Sequence, residues 1–198
     1  MCPNLLSDTR LYEALLKFDG ELAAEARAAR CPWCGGGPLH SAKYERKPRG
    51  TLVRLPAGYN ERYSFCCGRD GCRHRVTPPS LRFLGRKVYL GVVVVLATMM
   101  RHGVNAAGAA TLRRAVGASR ETLSRWRHWW TTLLPQTSFW TRARALFDMP
   151  VSLEELPGSL LARFVAPDDV GRIVKFLDFI KPVTTNSGAH LERISMGD

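Results

Sequence analysis

The sequence predicts an α+β chain that is mostly helical: a small β module, then a helical domain, then a short helical C-terminal segment. Three observations carry this. Cys31-Pro32-Trp33-Cys34 is answered, after about 32 residues, by Cys67 and Cys72, so two close cysteine pairs bracket a strand-like insert. Residues 80–148 read as helices joined by glycine-containing turns, and residues 149–183 hold two more apolar stripes at helical spacing. Hydrophobic content of 45% over 198 residues supports a real core in one or two modest domains.

Residues 1–30 form an N-terminal helical segment. Ser7 or Asp8 is placed to cap it, and Leu11, Leu15, Leu16 and Leu22 recur near helical spacing. Gly20 is expected to break the helix.

Residues 31–79 form the cysteine module. A C-x2-C pair and a C-x4-C pair, each on a tight turn, aim four thiolates at one point, which is what a tetrahedral Zn²⁺ needs from a short polypeptide. A redox pair is the first alternative, but such pairs open a helix, and Gly35-Gly36-Gly37-Pro38 forbids one. A disulfide is the second, but Met1-Cys2-Pro3-Asn4 begins no apolar leader toward an oxidising compartment. One structural Zn²⁺ in a zinc ribbon is therefore expected, on Cys31, Cys34, Cys67 and Cys72. Strand alternation puts Tyr63, Phe65 and Cys67 on one face, which turns Cys67 to the metal and leaves Cys66 as the alternative ligand. His74 is a weaker choice, and Cys2 is expected as a free thiol. Strand-like pieces fall at residues 51–55 and 62–66, separated by Pro56-Ala57-Gly58.

The helical domain spans residues 80–148. Val92 to Val95 favour a strand locally, yet the apolar run is long enough that a buried helix over 86–100 is expected. Its 13 residues from 88 to 100 are too short to cross a bilayer of about 30 Å. A cytoplasmic chain with no membrane partner is the expectation. A helix over 105–116, a turn at Gly117-Ala118-Ser119 and a helix over 120–130 then form a helix-turn-helix at about 105–131, with Ser119 as the second helix's N-cap. Leu112 and Val116 are expected to face Leu123, Trp126 and Trp130. At least two of Trp126, Trp129 and Trp130 are expected in the core. The outer face then offers Arg120, Ser124, Arg127 and His128, with Arg125 on the flank.

Charge concentrates on the middle of the chain. The total is +12, but residues 1–30 carry −1 and residues 151–198 carry −2, while residues 31–150 hold 20 basic and five acidic side chains, a balance of +15. Basic residues gathered on one module mark a polyanion site, and arginine suits phosphate forks and guanine edges. Double-stranded DNA is the expected partner, in the nucleoid, with RNA as the alternative polyanion. Arg73, Arg75, Arg82, Arg113 and Arg114 are expected on DNA beside the helix residues Arg120, Ser124, Arg125, Arg127 and His128, which probe base edges.

The order Cys31-Pro-x-Cys34, aromatic strand, Cys67 to Cys72, Arg73-x-Arg75-x-Thr77, hydrophobic helix and Ser119-Arg-x-Thr122-x-x-Arg125-Trp126 resembles the N-terminal part of bacterial insertion-sequence transposases. In that family a zinc ribbon precedes a DNA-binding helix-turn-helix, and the likeness covers residues 31–135. It implies recognition of transposon-end or related DNA. The family normally has C-x2-C in the second pair, where this chain has C-x4-C. The family also continues into a nuclease domain needing three carboxylates around two metal ions, for which residues 151–198 are too few.

The acids there, Glu154, Glu155, Asp168, Asp169 and Asp178, fit helix starts and solvent-facing positions, and no catalytic set is expected. Leu153, Leu156, Leu160, Leu161, Phe164 and Val165 form one stripe; Val170, Ile173, Val174, Leu177 and Ile180 form another. These stripes either cap the helical core or take a protein partner or second copy through residues 151–181. Residues 184–198 are expected as a polar tail. The functional expectation is a non-catalytic accessory or targeting subunit of a mobile element. A stand-alone transcription regulator, or an adaptor recruiting a recombinase or nuclease, is the alternative.

Overall fold

In the computed structural model, which describes residues 3–46, 53–84, 90–103 and 117–185, the chain is α+β, with six α-helices and two small antiparallel sheets among the described residues. Helix α1 runs Thr9–Ala28 and starts at Asp8, whose carboxylate accepts the Arg10 backbone N–H at 3.0 Å. Gly20 does not break it, contrary to expectation. A glycine costs a helix about 1 kcal/mol, and burial of Leu11, Tyr12, Leu15, Asp19 and Ala23 on both sides of Gly20 outweighs that.

Strands β1 (Leu39–Ser41), β4 (Phe65–Cys67) and β5 (Arg75–Val76) form a three-stranded sheet in the order β1-β4-β5, with Leu39 opposite Cys67 and Phe65 opposite Val76. Strands β2 (Tyr44–Glu45) and β3 (Glu61–Arg62) pair separately, so residues 39–45 run back along 61–67 as one interrupted hairpin. Within the expected strand over 51–55, residues 51–52 lie outside the described residues, and 53–55 are not a strand. The aromatic strand pairs with 39–45 on one side and with β5 on the other. The expected strand over 62–66 is split at Tyr63 and Ser64.

Helix α2 (Gly91–Gly103) follows an isolated bridge between Phe83 and Leu90. Its start is later than the expected position 86; residues 85–89 lie outside the described residues. Val92, Val93, Val94 and Val95 are each fully buried. Consecutive residues fan around the axis, so four buried valines mean a helix covered on every side, and burial overrides their β propensity. The buried Thr98 hydroxyl is satisfied by the Val94 carbonyl one turn back, at 2.6 Å.

Helix α3 (Arg120–His128) is capped by Ser119, which accepts the Thr122 N–H at 3.2 Å. It packs against α2 through Leu123 and Trp126. The chain continues through a π-helical turn, Trp129–Leu133, which turns Trp130 fully into the core against Phe176, with centroids 5.9 Å apart. The expected preceding helix over 105–116, with Leu112 and Val116, lies outside the described residues.

Helices α4 (Ser138–Ala143), α5 (Gly158–Leu161) and α6 (Asp169–Ile180) complete the body. Asp168 caps α6 by accepting the Gly171 N–H at 2.7 Å. Ile173, Val174, Phe176, Leu177 and Ile180 are buried, and α6 packs on α1 and α2, so this stripe covers the helical core. The first stripe is shorter than expected: Leu156, Leu160 and Leu161 are buried, while Leu153 is exposed and Val165 is 83% exposed. Val165 follows the end of α5 and has no helical register to hold it inward. Thr184, expected to open the polar tail, belongs to the folded body, and residues 186–198 lie outside the described residues. Thr184 is buried, and its hydroxyl oxygen accepts the Ser80 N–H at 2.9 Å.

Two cores result. One gathers the helices with Tyr59 from the insert; the other holds Ala23, Cys31, Leu39, Phe65 and Cys67. Helix α1 contributes to both.

Candidate metal centre and its basic surroundings

The first cysteine pair sits on a turn locked by two backbone bonds: the Cys31 N–H donates to the Gly37 carbonyl at 3.1 Å and the Gly36 N–H to the Cys31 carbonyl at 3.0 Å. The second spans the end of β4 and the turn after it, where the Cys72 N–H donates to the Arg69 carbonyl at 3.1 Å. The Gly68 N–H reaches across to the Pro38 carbonyl at 2.8 Å and ties the two turns together. The Sγ atoms of Cys31, Cys34, Cys67 and Cys72 thereby lie within 4.8 Å of one another. Cys31 and Cys72 are 3.8 Å apart and Cys34 and Cys67 3.6 Å. A tetrahedron with Zn–S of about 2.3 Å has edges of about 3.8 Å, whereas a disulfide needs about 2.05 Å. The four thiols are free, and their spacing fits one metal ion.

Cys66 turns the other way, its thiol 3.5 Å from the Arg73 carbonyl, as strand alternation requires. His74 lies beside the cluster, with Nδ1 at 3.5 Å from the Cys72 Sγ. Gly37 has a role the sequence reading missed. A Cβ there would stand 2.6 Å from the Cys67 Sγ and 2.8 Å from the Cys34 Sγ, so the backbone must approach the thiols bare.

The thiols differ in acidity. Desolvation raises Cys34, but the Gly37 N–H and hydrogen bonds from Cys67, Cys72 and Cys31 overrule it and bring the thiol down to about 6. Cys67 moves the opposite way: the Arg69 N–H lowers it, but burial and its hydrogen bond to Cys34 push it up to about 12. The two thiols thus move in opposite directions, and a metal ion bound here would have to displace the Cys67 proton.

Around the cluster stand exposed guanidiniums. Arg69 donates to the Cys34 carbonyl at 2.9 Å, Arg30 to the Gly36 carbonyl at 3.1 Å, and Arg73 pairs with Asp70 at 3.1 Å. Arg75 is exposed and lies 5.8 Å from the Tyr44 ring. On α3, Arg120, Ser124, Arg125 and His128 are exposed opposite buried Leu123 and Trp126, while Arg127 is half-buried. Arg113 and Arg114 lie outside the described residues.

Arg82 is a correction. It was expected on DNA, but it is fully buried and ion-paired to Asp19 at 2.8 Å. Its remaining N–H groups donate to the carbonyls of Tyr59 at 2.6 Å and Glu61 at 2.9 Å. The rings of Tyr59, Tyr63 and Phe83 surround the guanidinium at 5.2–5.3 Å. Asp19 accepts further from the Leu81 N–H at 2.7 Å and the Ser80 hydroxyl. An arginine with this many internal partners has nothing left for a phosphate.

Comparison with protein-family models, curated proteins and solved structures returns no match. No helix among the described residues is long and apolar enough to cross a membrane.

Proposed function

We propose that this chain is a non-catalytic, zinc-dependent DNA-binding protein in which the cysteine module and helix α3 present one basic surface. The observation that carries this reading is charge placement: the +15 of residues 31–150 includes exposed Arg69 and Arg73 beside a four-thiol cluster, exposed Arg75 on β5, and exposed Arg120 and Arg125 on the outer face of α3. Cys31, Cys34, Cys67 and Cys72 would hold one Zn²⁺, which as a structural ion supplies folding energy rather than chemistry. Four thiolates around a dication leave a net charge of about −2, which the flanking arginines offset. The ribbon contacts phosphates, and Arg120, Ser124, Arg125, Arg127 and His128 reach base edges. An accessory role at the ends of a mobile element rests on the order of motifs alone.

The test is salt dependence of duplex binding by the zinc-loaded chain. With about 6–10 phosphates contacted, affinity falls about 10³–10⁵-fold between 50 and 200 mM salt. A flat salt response sinks the reading.

A further inference from the structure

We propose that the stacked Trp33–His74 pair is a platform for an unpaired nucleobase, so that the preferred ligand is DNA with an unpaired base beside the cysteine module. The proposal rests on the DNA-binding reading and narrows it.

Trp33 lies between the first two cysteines and His74 lies two residues after the last, so the rings hang from opposite turns of the thiol cluster. Their planes differ by 17° and their centroids are 5.0 Å apart, a parallel stack. Trp33 is nevertheless 67% exposed, among the most exposed large apolar side chains described. With His74 over one face, that exposure falls on the other face and the edges. An indole held out this way adds little to either core.

Its surroundings select the ligand. Arg30 and Arg69 are anchored to the carbonyls of Gly36 and Cys34, on either side of the first turn, and both are exposed. Arg73 precedes His74 in the chain and is exposed as well. Gly35 and Gly36, next along the same turn, carry no side chain and have open space where a Cβ would project. An exposed aromatic face on a turn that anchors exposed arginines matches a base attached to phosphates, the base continuing the column as a third ring. A base inside a duplex is already stacked on both faces, so the platform takes one at an overhang, a nick or a melted step.

The experiment compares three probes with the full-length, zinc-loaded chain: a blunt duplex, the same duplex with a short thymidine overhang, and the same duplex with an abasic overhang of equal length. The two overhangs carry equal charge and differ only in bases. The expected result is about tenfold tighter binding to the thymidine overhang than to the abasic one, within the range for a stacked base. Trp33→Ala abolishes that preference, keeps its zinc and leaves blunt-duplex affinity within about twofold, while Trp33→Phe retains much of it. Equal binding of both overhangs by the wild type, or a preference that survives Trp33→Ala, overturns the platform. Failure to bind blunt duplex at low salt overturns the DNA-binding reading instead, so the two outcomes are separable.

Discussion

Replacing Arg82 by Met separates a structural arginine from a DNA-contacting one. The substitution keeps a long apolar stem but removes the cation and the donors that reach Asp19, Tyr59 and Glu61. Asp19, 1% exposed, keeps only the Leu81 N–H and the Ser80 hydroxyl. Removing one partner of a buried pair costs about 3–5 kcal/mol, because the other is left as an uncompensated buried charge. At about 2–4 °C per kcal/mol for a chain of this size, the melting temperature falls by about 6–20 °C. Thermal and urea unfolding of wild type, Arg82→Met, Asp19→Leu and the double variant form a cycle. The double variant should lose less than the two singles together, since neither charge is orphaned. An Arg82→Met protein within about 1 kcal/mol of wild type refutes the reasoning, because no fully desolvated pair is that indifferent to loss of a partner. The salt slope of DNA binding by Arg82→Met, measured below its transition, should equal that of wild type.

Other expectations concern the metal and α3. Substituting Cys31, Cys34, Cys67 or Cys72 by Ser should abolish stoichiometric zinc, whereas Cys66→Ser retains one ion per chain; a chromogenic chelator reads both. Gly37→Ala should weaken zinc binding at least about tenfold, since its Cβ would press on the Cys34 and Cys67 thiols and the turn must shift. Zinc affinity should rise from pH 6 to pH 8, because Cys67, pushed up to about 12, stays protonated until metal displaces it. In the metal-free chain the sign for Cys34 is the opposite of that for Cys67. Its lowered value favours the folded state above its ordinary 9.0 and loses that effect as pH falls through about 6, which pH-dependent unfolding of chelator-treated protein measures. Arg125→Ala should cut the salt slope by about 1 if the residue meets a phosphate, or relax sequence preference if it meets a base.

Much of the metal cluster was legible because its chemistry is local. Ligand spacing fixes the turns, and an alternation of two separates Cys67 from Cys66. The Ser119 cap and the Leu123–Trp126 face follow from helical spacing in the same way. What escaped depended on partners distant in sequence. Arg82 looks like any other arginine of the basic region until the fold brings Asp19, 63 residues away, against it. Gly20 reads as a breaker because propensity carries no knowledge of the packing on either side of it. Leu39–Ser41 and Tyr44–Glu45 are too short to display an alternation, so the true partner of the aromatic strand stayed hidden. Thr184 reads as tail because the Ser80 N–H that ties it to the body is 104 residues earlier. Nothing in a C-x2-C spacing marks Trp33, because its stacking partner His74 lies beyond the whole insert.

Helix α1 also gives the chain a mechanical property. Ala23 belongs to the small cysteine core and Leu11 to the large helical one, and the two lie 12 positions apart, about 18 Å along a rigid rod. Asp19, between them in the helix, pins that rod through Arg82. Loss of a metal from the four thiols would slacken the packing around Ala23, and the disturbance would travel along a beam rather than through a hinge. An ion held by the four thiols would act as a tuning peg for the whole body, its occupancy setting how stiffly the small module is carried.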